Sequence, residues 1–171
     1  MDAADDDGPM TARPAVLPAS AQRVQDALVQ LGIESRVMEL PVAARTSRQA
    51  ADALGVEVGR IAKSLVFRAR GSLSAVLVIA AGDRRVDEHR LAQALGEPID
   101  RATPEFVRGH TGFAIGGVAP FGHPRPLSTF VDASLRRFDV VWAAGGTPHC
   151  VFPVAPAALL AASGGREIEI G

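Results

Sequence analysis

Lysine is almost missing from this chain. Of its 18 basic residues only Lys63 is not arginine, and tyrosine is absent altogether. A GC-rich genome, in which AAR and TAY codons are scarce, produces such a bias, and against that background a retained lysine stands out. Cysteine is represented once, by Cys150, which excludes an internal disulfide or a cysteine metal cluster within one chain. No run reaches the roughly 18 apolar residues of a membrane span, and the first residues lack the basic start and apolar stretch of a secretory signal. The expectation is a cytoplasmic protein. Neither G-x-x-x-x-G-K-[ST] nor G-x-G-x-x-G occurs, and His89, His110, His123 and His149 show no H-x-x-x-H spacing. The expectation is therefore no metal and no cofactor.

The 171 residues are 47% hydrophobic and 22% charged, with a net charge of −1, which fits one soluble domain. That charge is unevenly spread. Residues 1–18 hold Asp2, Asp5, Asp6 and Asp7 against Arg13, with Pro9, Pro14 and Pro18 and no aliphatic pattern, so they read as a disordered acidic, proline-rich tail. Residues 19–171 form the domain and carry a small positive balance.

Helical and strand patterns alternate through that domain without a linker. Ser20 reads as the cap of a helix with apolar Val24, Ala27, Leu28 and Leu31, ended by Gly32. A short strand over Arg36 to Leu40 stops at Pro41. Thr46 to Gln49 is a T-x-x-Q capping box, and Gly55 closes its helix. The apolar runs Ile61 to Ala69 and Leu73 to Ala81 flank Gly71 as a hairpin whose strands are covered on both faces. A helix runs from Asp87 to Gly96. Thr103-Pro104-Glu105 starts another, and a glycine- and proline-rich loop extends from Gly112 to Pro126. Strands at Leu127 to Val131, Asp139 to Ala143, Cys150 to Val154 and Glu167 to Ile170 follow, with a short helix capped by Asp132 and an Ala/Leu helix from Pro156. The predicted fold class is α/β: one mixed domain with a curved, barrel-like mixed sheet of about seven strands flanked by helices.

Three segments bear chemistry. In Ile61-Ala62-Lys63-Ser64-Leu65-Val66-Phe67 a cation interrupts an apolar strand, where it either snorkels to solvent or serves a polar purpose, because an unpaired buried ammonium is costly. In Gly112 to Pro124, Gly116, Gly117 and Gly122 permit close approach of a ligand to the backbone, while Pro120 and Pro124 stiffen the loop. His123 beside it is a candidate substrate contact. In Ala143 to Phe152, the Gly145-Gly146 turn leaves Thr147 and His149 at its exit, within reach of a site. A Cys150–His149 nucleophilic pair is disfavoured, since neighbours on a strand point to opposite faces, and Cys150 reads as a small buried hydrophobe. Arg84-Arg85 and Arg136-Arg137 read as solvated faces able to contact phosphate.

Together, Ala62-Lys63-Ser64-Leu65, Thr111-Gly112-Phe113 leading to Gly116-Gly117-Val118-Ala119-Pro120-Phe121-Gly122, and the Gly145-Gly146 turn resemble the YbaK/EbsC family, the prolyl-tRNA synthetase-associated editing domain. The likeness spans residues 20–171 in order. It implies a curved mixed sheet and a trans-editing deacylase, which hydrolyses the ester of a mischarged amino acid on tRNA, commonly tRNA-Pro carrying Cys or Ala. By resemblance Lys63 is the essential lysine that holds the terminal phosphate or aminoacyl group. Gly116 and Pro120 end the G-x-x-x-P substrate-binding loop, with Gly117, Val118 and Ala119 between them. Water attacks, helped by backbone groups and the tRNA 2′-hydroxyl, and no side-chain nucleophile is needed. The implied partners are the acceptor end of mischarged tRNA and a prolyl-tRNA synthetase, with neither membrane nor DNA. Ala144 stands where some members have serine, and Thr147 to Phe152 departs from Cys-specific members, which leaves the small amino acid removed unassigned. A non-catalytic module of the same fold, binding aminoacyl-tRNA, a synthetase or an amino-acid-like ligand, is the alternative.

Overall fold

The structure, a computed structural model, describes residues 16–171. The expected acidic tail lies, up to residue 15, outside the described residues. Five α-helices are present among these: α1 (Ala19–Gln30), α2 (Ser47–Leu54), α3 (Glu88–Leu95), α4 (Pro104–Thr111) and α5 (Pro156–Ser163). The strands are β1 (Met38–Glu39), β2 (Ile61–Ala69), β3 (Ala75–Ala81), β4 (Ile99–Arg101), β5 (Ser128–Asp132), β6 (Val141–Ala144), β7 (Cys150–Val154) and β8 (Arg166–Ile168).

The predicted caps form where side-chain chemistry requires them. Thr46 accepts from the Gln49 amide and Gly55 closes α2 in the left-handed region; Asp87 and Gly96 do the same for α3, and Thr103 and Gly112 for α4. Ser20 is the exception. α1 begins two residues earlier than a Ser20 cap would set it, at Ala19 with Pro18 as its cap position, and no side chain caps it, because proline fixes the entry φ and brings no acceptor of its own.

All eight strands join one mixed sheet in the order β1-β7-β6-β2-β3-β5-β8, with β4 also paired to β2. β2 and β3 form the predicted hairpin, in register from Ala62 with Ala81 to Arg68 with Ala75. One edge of the long β2 is shared: its first residues pair in parallel with β6, and its last ones in antiparallel with β4. β4 is the strand the sequence reading lacked. Its three residues follow Pro98 and include Asp100 and Arg101, too short and too polar for a strand pattern. With β1 and β8 at the two free ends, the sheet is open and not a closed barrel.

β3 is buried along its whole length, as its unbroken apolar run predicts. Its alternate residues feed two cores. Leu77, Ile79 and Ala81 join Ala62, Ala143, α1 and the glycine-rich loop on one face, while Val76, Val78 and Ala80 join Phe67, Phe130 and Leu91 of α3 on the other. A third, small cluster sits under α2, where Ala50 and Ala51 cover Ile61, with Trp142 packed against it. On β2 this second face reads Ile61 (α2 cluster), Lys63, Leu65 (α3 cluster). Lys63 therefore occupies the gap between two apolar covers, which lets one strand carry a cation without sealing it from water.

Candidate active site

The Lys63 gap opens into a shallow pocket of about 560 Å³ lined by Thr46, Ser47, Arg48, Val58, Lys63, Gly82, Asp83, Arg84 and Arg85. Gly82 makes it possible. A Cβ at this position would overlap the Val58 carbonyl oxygen and lie 2.9 Å from Ser47 Cβ, so only glycine allows the exit of β3 to meet the start of α2. The Gly82 amide donates to the Ile61 carbonyl at 2.7 Å, which fixes this corner to β2. Asp132 pins the same corner from behind: it is 2% exposed and accepts from the Ala81 amide at 2.9 Å and the Ser134 amide at 2.8 Å.

Four cations of the pocket face one carboxylate, Asp83. That carboxylate is already engaged in a two-point pair with Arg137, at 3.0 and 2.8 Å, which holds its pKa below the ordinary range. Lys63 titrates below the usual lysine range. Loss of water around the ammonium dominates, Asp83 and Asp132 pull the other way, and the charge of Arg85 adds to the lowering. An anion entering the pocket would relieve this uncompensated positive charge.

The glycine-rich loop and the Gly-Gly turn meet through their backbones. A Cβ on Gly117 would stand 2.7 Å from Thr147 Cα and 2.8 Å from Gly146 carbon, and one on Gly146 (φ +105°) would meet the Ser20 carbonyl of α1. Val118, Ala119, Pro120, Gly145 and Gly146, all predicted to line the substrate site, are buried, and of the G-x-x-x-P stretch only Gly116 is exposed. Ile115 next to it is 56% exposed. The remainder of the stretch anchors the loop. His123 acts likewise: its Nε2 lies 2.7 Å from the Ala119 carbonyl, its ring meets Phe113 edge-on, and burial lowers its pKa, so it is the neutral ring with the proton on Nε2. At the loop entry, Thr111 is fully buried. Its hydroxyl bonds the Val107 carbonyl at 2.7 Å and receives the Phe113 amide at 3.0 Å.

The pocket lining includes no residue of the glycine-rich loop. The loop's apolar side chains belong to the α1 face and Lys63 to the α2 face. What links them is the end of the sheet. The β2–β6 register runs Ile61 with Trp142 and Ala62 with Ala143, so the next position sets Ala144 beside Lys63, and the following residues are the Gly145-Gly146 turn against Gly117. The Ala44 amide donates to the Pro148 carbonyl at 2.9 Å, tying the segment before Thr46 to the same turn. Thr147 spends its hydroxyl on the His149 amide, and His149 is exposed. Cys150 is 1% exposed and its thiol is pushed up by burial, so it is not placed to ionise. Among the described residues no three His, Cys, Asp or Glu gather as a metal site, and no helix is long and apolar enough to cross a membrane.

From the sequence, Thr46 to Gln49 reads as a cap alone and Arg84-Arg85 as a solvated face able to contact phosphate. Their convergence on Lys63 depends on Gly82, which follows an apolar strand and precedes a charged triplet, the one signal available in advance.

The chain is similar to several known proteins in sequence and in shape. A solved structure of a proposed trans-editing enzyme for prolyl-tRNA synthetase superposes with a TM-score of 0.85 and 45% identity, covering 91% of this chain and 98% of the other. YwhH of Bacillus subtilis, an uncharacterized protein, is 36% identical over 137 residues, 80% of this chain and 87% of its own. The proposed Cys-tRNA(Pro)/Cys-tRNA(Cys) deacylase EbsC of Enterococcus faecalis is 25% identical over 126 residues, 73% of this chain and 76% of its own. The family profile of the aminoacyl-tRNA editing domain matches residues 42–162, a span that contains Lys63, the glycine-rich loop and the Gly-Gly turn. The chain belongs to the aminoacyl-tRNA editing domain family.

Proposed function

We propose that this protein is a trans-acting aminoacyl-tRNA deacylase that removes a small mischarged amino acid, such as Cys or Ala, from tRNA-Pro. The observation that carries this reading is the position of Lys63, alone in a gap between two apolar clusters and beside the end of β6, where the Gly145-Gly146 turn packs on Gly117. In the reaction a water oxygen adds to the ester carbonyl and the bond to the ribose oxygen breaks. The amino acid leaves as its carboxylate, the ribose oxygen takes a proton, and one proton passes to solvent. An aminoacyl ester is already activated, so orientation and fixed donors supply the needed rate. Lys63 provides the cation for the terminal phosphate or the aminoacyl group. The Gly117 amide is spent on the Ala114 carbonyl at 3.0 Å, whereas the amide of exposed Gly116 has no acceptor among the described residues, which leaves it as a donor for a developing oxyanion. Ala144, next to Lys63, offers the substrate no hydroxyl.

The test is deacylation of tRNA-Pro charged with several small amino acids. Turnover by the wild-type chain and a loss of roughly 10²–10³ in rate for Lys63→Ala are expected, the size of removing one preorganised charge-stabilising group. Full activity in Lys63→Ala would sink the role of the lysine, and saturable binding with no turnover would make the protein a binding module.

A further inference from the structure

The cationic wall of the Lys63 pocket exceeds what one ester needs. Arg60, Arg68, Arg70, Arg90, Arg136 and Arg137 each have a carboxylate within ion-pair distance. Arg48, Arg84 and Arg85, like Arg23, Arg36, Arg45, Arg101, Arg108, Arg125 and Arg166, have none among the described residues, but these three line one concavity together with Lys63. The lone acid there, Asp83, is held by Arg137 and is a poor internal counter-ion. Like charges gathered at an open pocket repel each other unless a ligand supplies the anion. At about 560 Å³ the space takes a sugar-phosphate unit and not merely a carboxylate. Guanidinium forks suit phosphate oxygens, and they come from two separate segments, the first turn of α2 and the exit of β3, so they can grip a strand from two sides.

We propose that Arg48, Arg84 and Arg85 form a phosphodiester subsite that holds the single-stranded 3′ end of the RNA one or more nucleotides upstream of the ester, with Lys63 at its inner end. The inference rests on the deacylase reading for the identity of the RNA, and it adds the element that chooses an RNA-borne ester over a free one.

Because Lys63 is the only lysine, selective ¹³C labelling of lysine gives one side-chain signal, a direct reporter of this pocket. The probe is an uncharged hairpin RNA ending in unpaired CCA, with adenosine as the phosphate-free control. Expected are an RNA-dependent shift of the Lys63 signal with an upward move of its titration midpoint, and no such move with adenosine. Arg84→Ala/Arg85→Ala is expected to weaken RNA binding at least tenfold and to lower the salt slope by about 0.7 per arginine removed. Arg48→Ala should act in the same direction, and Arg84→Lys/Arg85→Lys should keep most of the binding, which separates charge from misfolding. Affinity and salt slope unchanged in the alanine variants, no RNA binding by the wild type, or an equal Lys63 response to adenosine would each overturn the subsite. Wild-type deacylation is measured apart: its absence removes the deacylase reading and leaves the RNA titration to decide this one.

Discussion

His123 is held by the loop it belongs to. Its Nε2–H on the Ala119 carbonyl and its edge on Phe113 brace the loop, and burial keeps the ring neutral. The direction of the pH effect follows. Above 6.5 the ring is neutral in both folded and unfolded chains and costs nothing. As pH falls through 6.5, the unfolded chain takes up a proton that the folded ring refuses, so stability declines until the depressed folded pKa is passed. Thermal melts between pH 7.5 and 5 should therefore fall more steeply in wild type than in His123→Gln, which has nothing to titrate. Equal slopes would show that His123 contributes no linkage.

At the scale of elements the contact between loop and turn is the vulnerable joint. Alanine at Gly117 would push against backbone atoms of Gly146 and Thr147, which cannot swing aside like a side-chain tip. Gly117→Ala should cost about 1–3 kcal/mol, the range for overpacking. That corresponds to a melting temperature lower by roughly 2–4 °C per kcal/mol in a chain of this size, together with loss of deacylation. Gly32→Ala is the comparison: φ is +73° and nothing lies within 4 Å, so only the left-handed backbone opposes it, at about 1–2 kcal/mol, with activity kept. Melting curves and deacylation assays of both variants check the contrast, and active Gly117→Ala enzyme would contradict it.

Much at this scale was legible in the sequence because the determining forces act within a few residues. Thr46, Asp87 and Thr103 cap their helices through their own oxygens, and Gly55, Gly96 and Gly112 end them through a conformation that L-residues avoid. The hairpin followed from two apolar runs about a tight break. β4 escaped because three polar-flanked residues form a strand only when the end of β2 offers a free edge, and Ser20 was displaced as a cap by the proline before it.

For the whole molecule, charge distribution governs encounter with RNA. Residues 1–15 contribute four aspartates and one arginine to a net charge of −1, so a chain starting at Val16 is net positive. That shortened chain should bind the CCA hairpin more tightly at 50 mM salt. The difference should shrink near 1 M, where the screening length falls to about 3 Å. Identical affinities at low salt would mean that the acidic stretch does not modulate binding.

The sequence by itself determined the α/β class, most helix ends, the two-faced burial of β3 and the three segments where chemistry resides, because spacing, caps and glycine positions are local properties. Only the tertiary structure decided which segments share a site. Residues 46–48, 63 and 82–85 meet through the β2–β3 register and the approach that Gly82 alone permits. It also turned Val118, Ala119, Pro120 and His123 inward as anchors and left Lys63 in an opening between two apolar covers. Packing of residues far apart in the chain sets such exposures, and no local pattern encodes them.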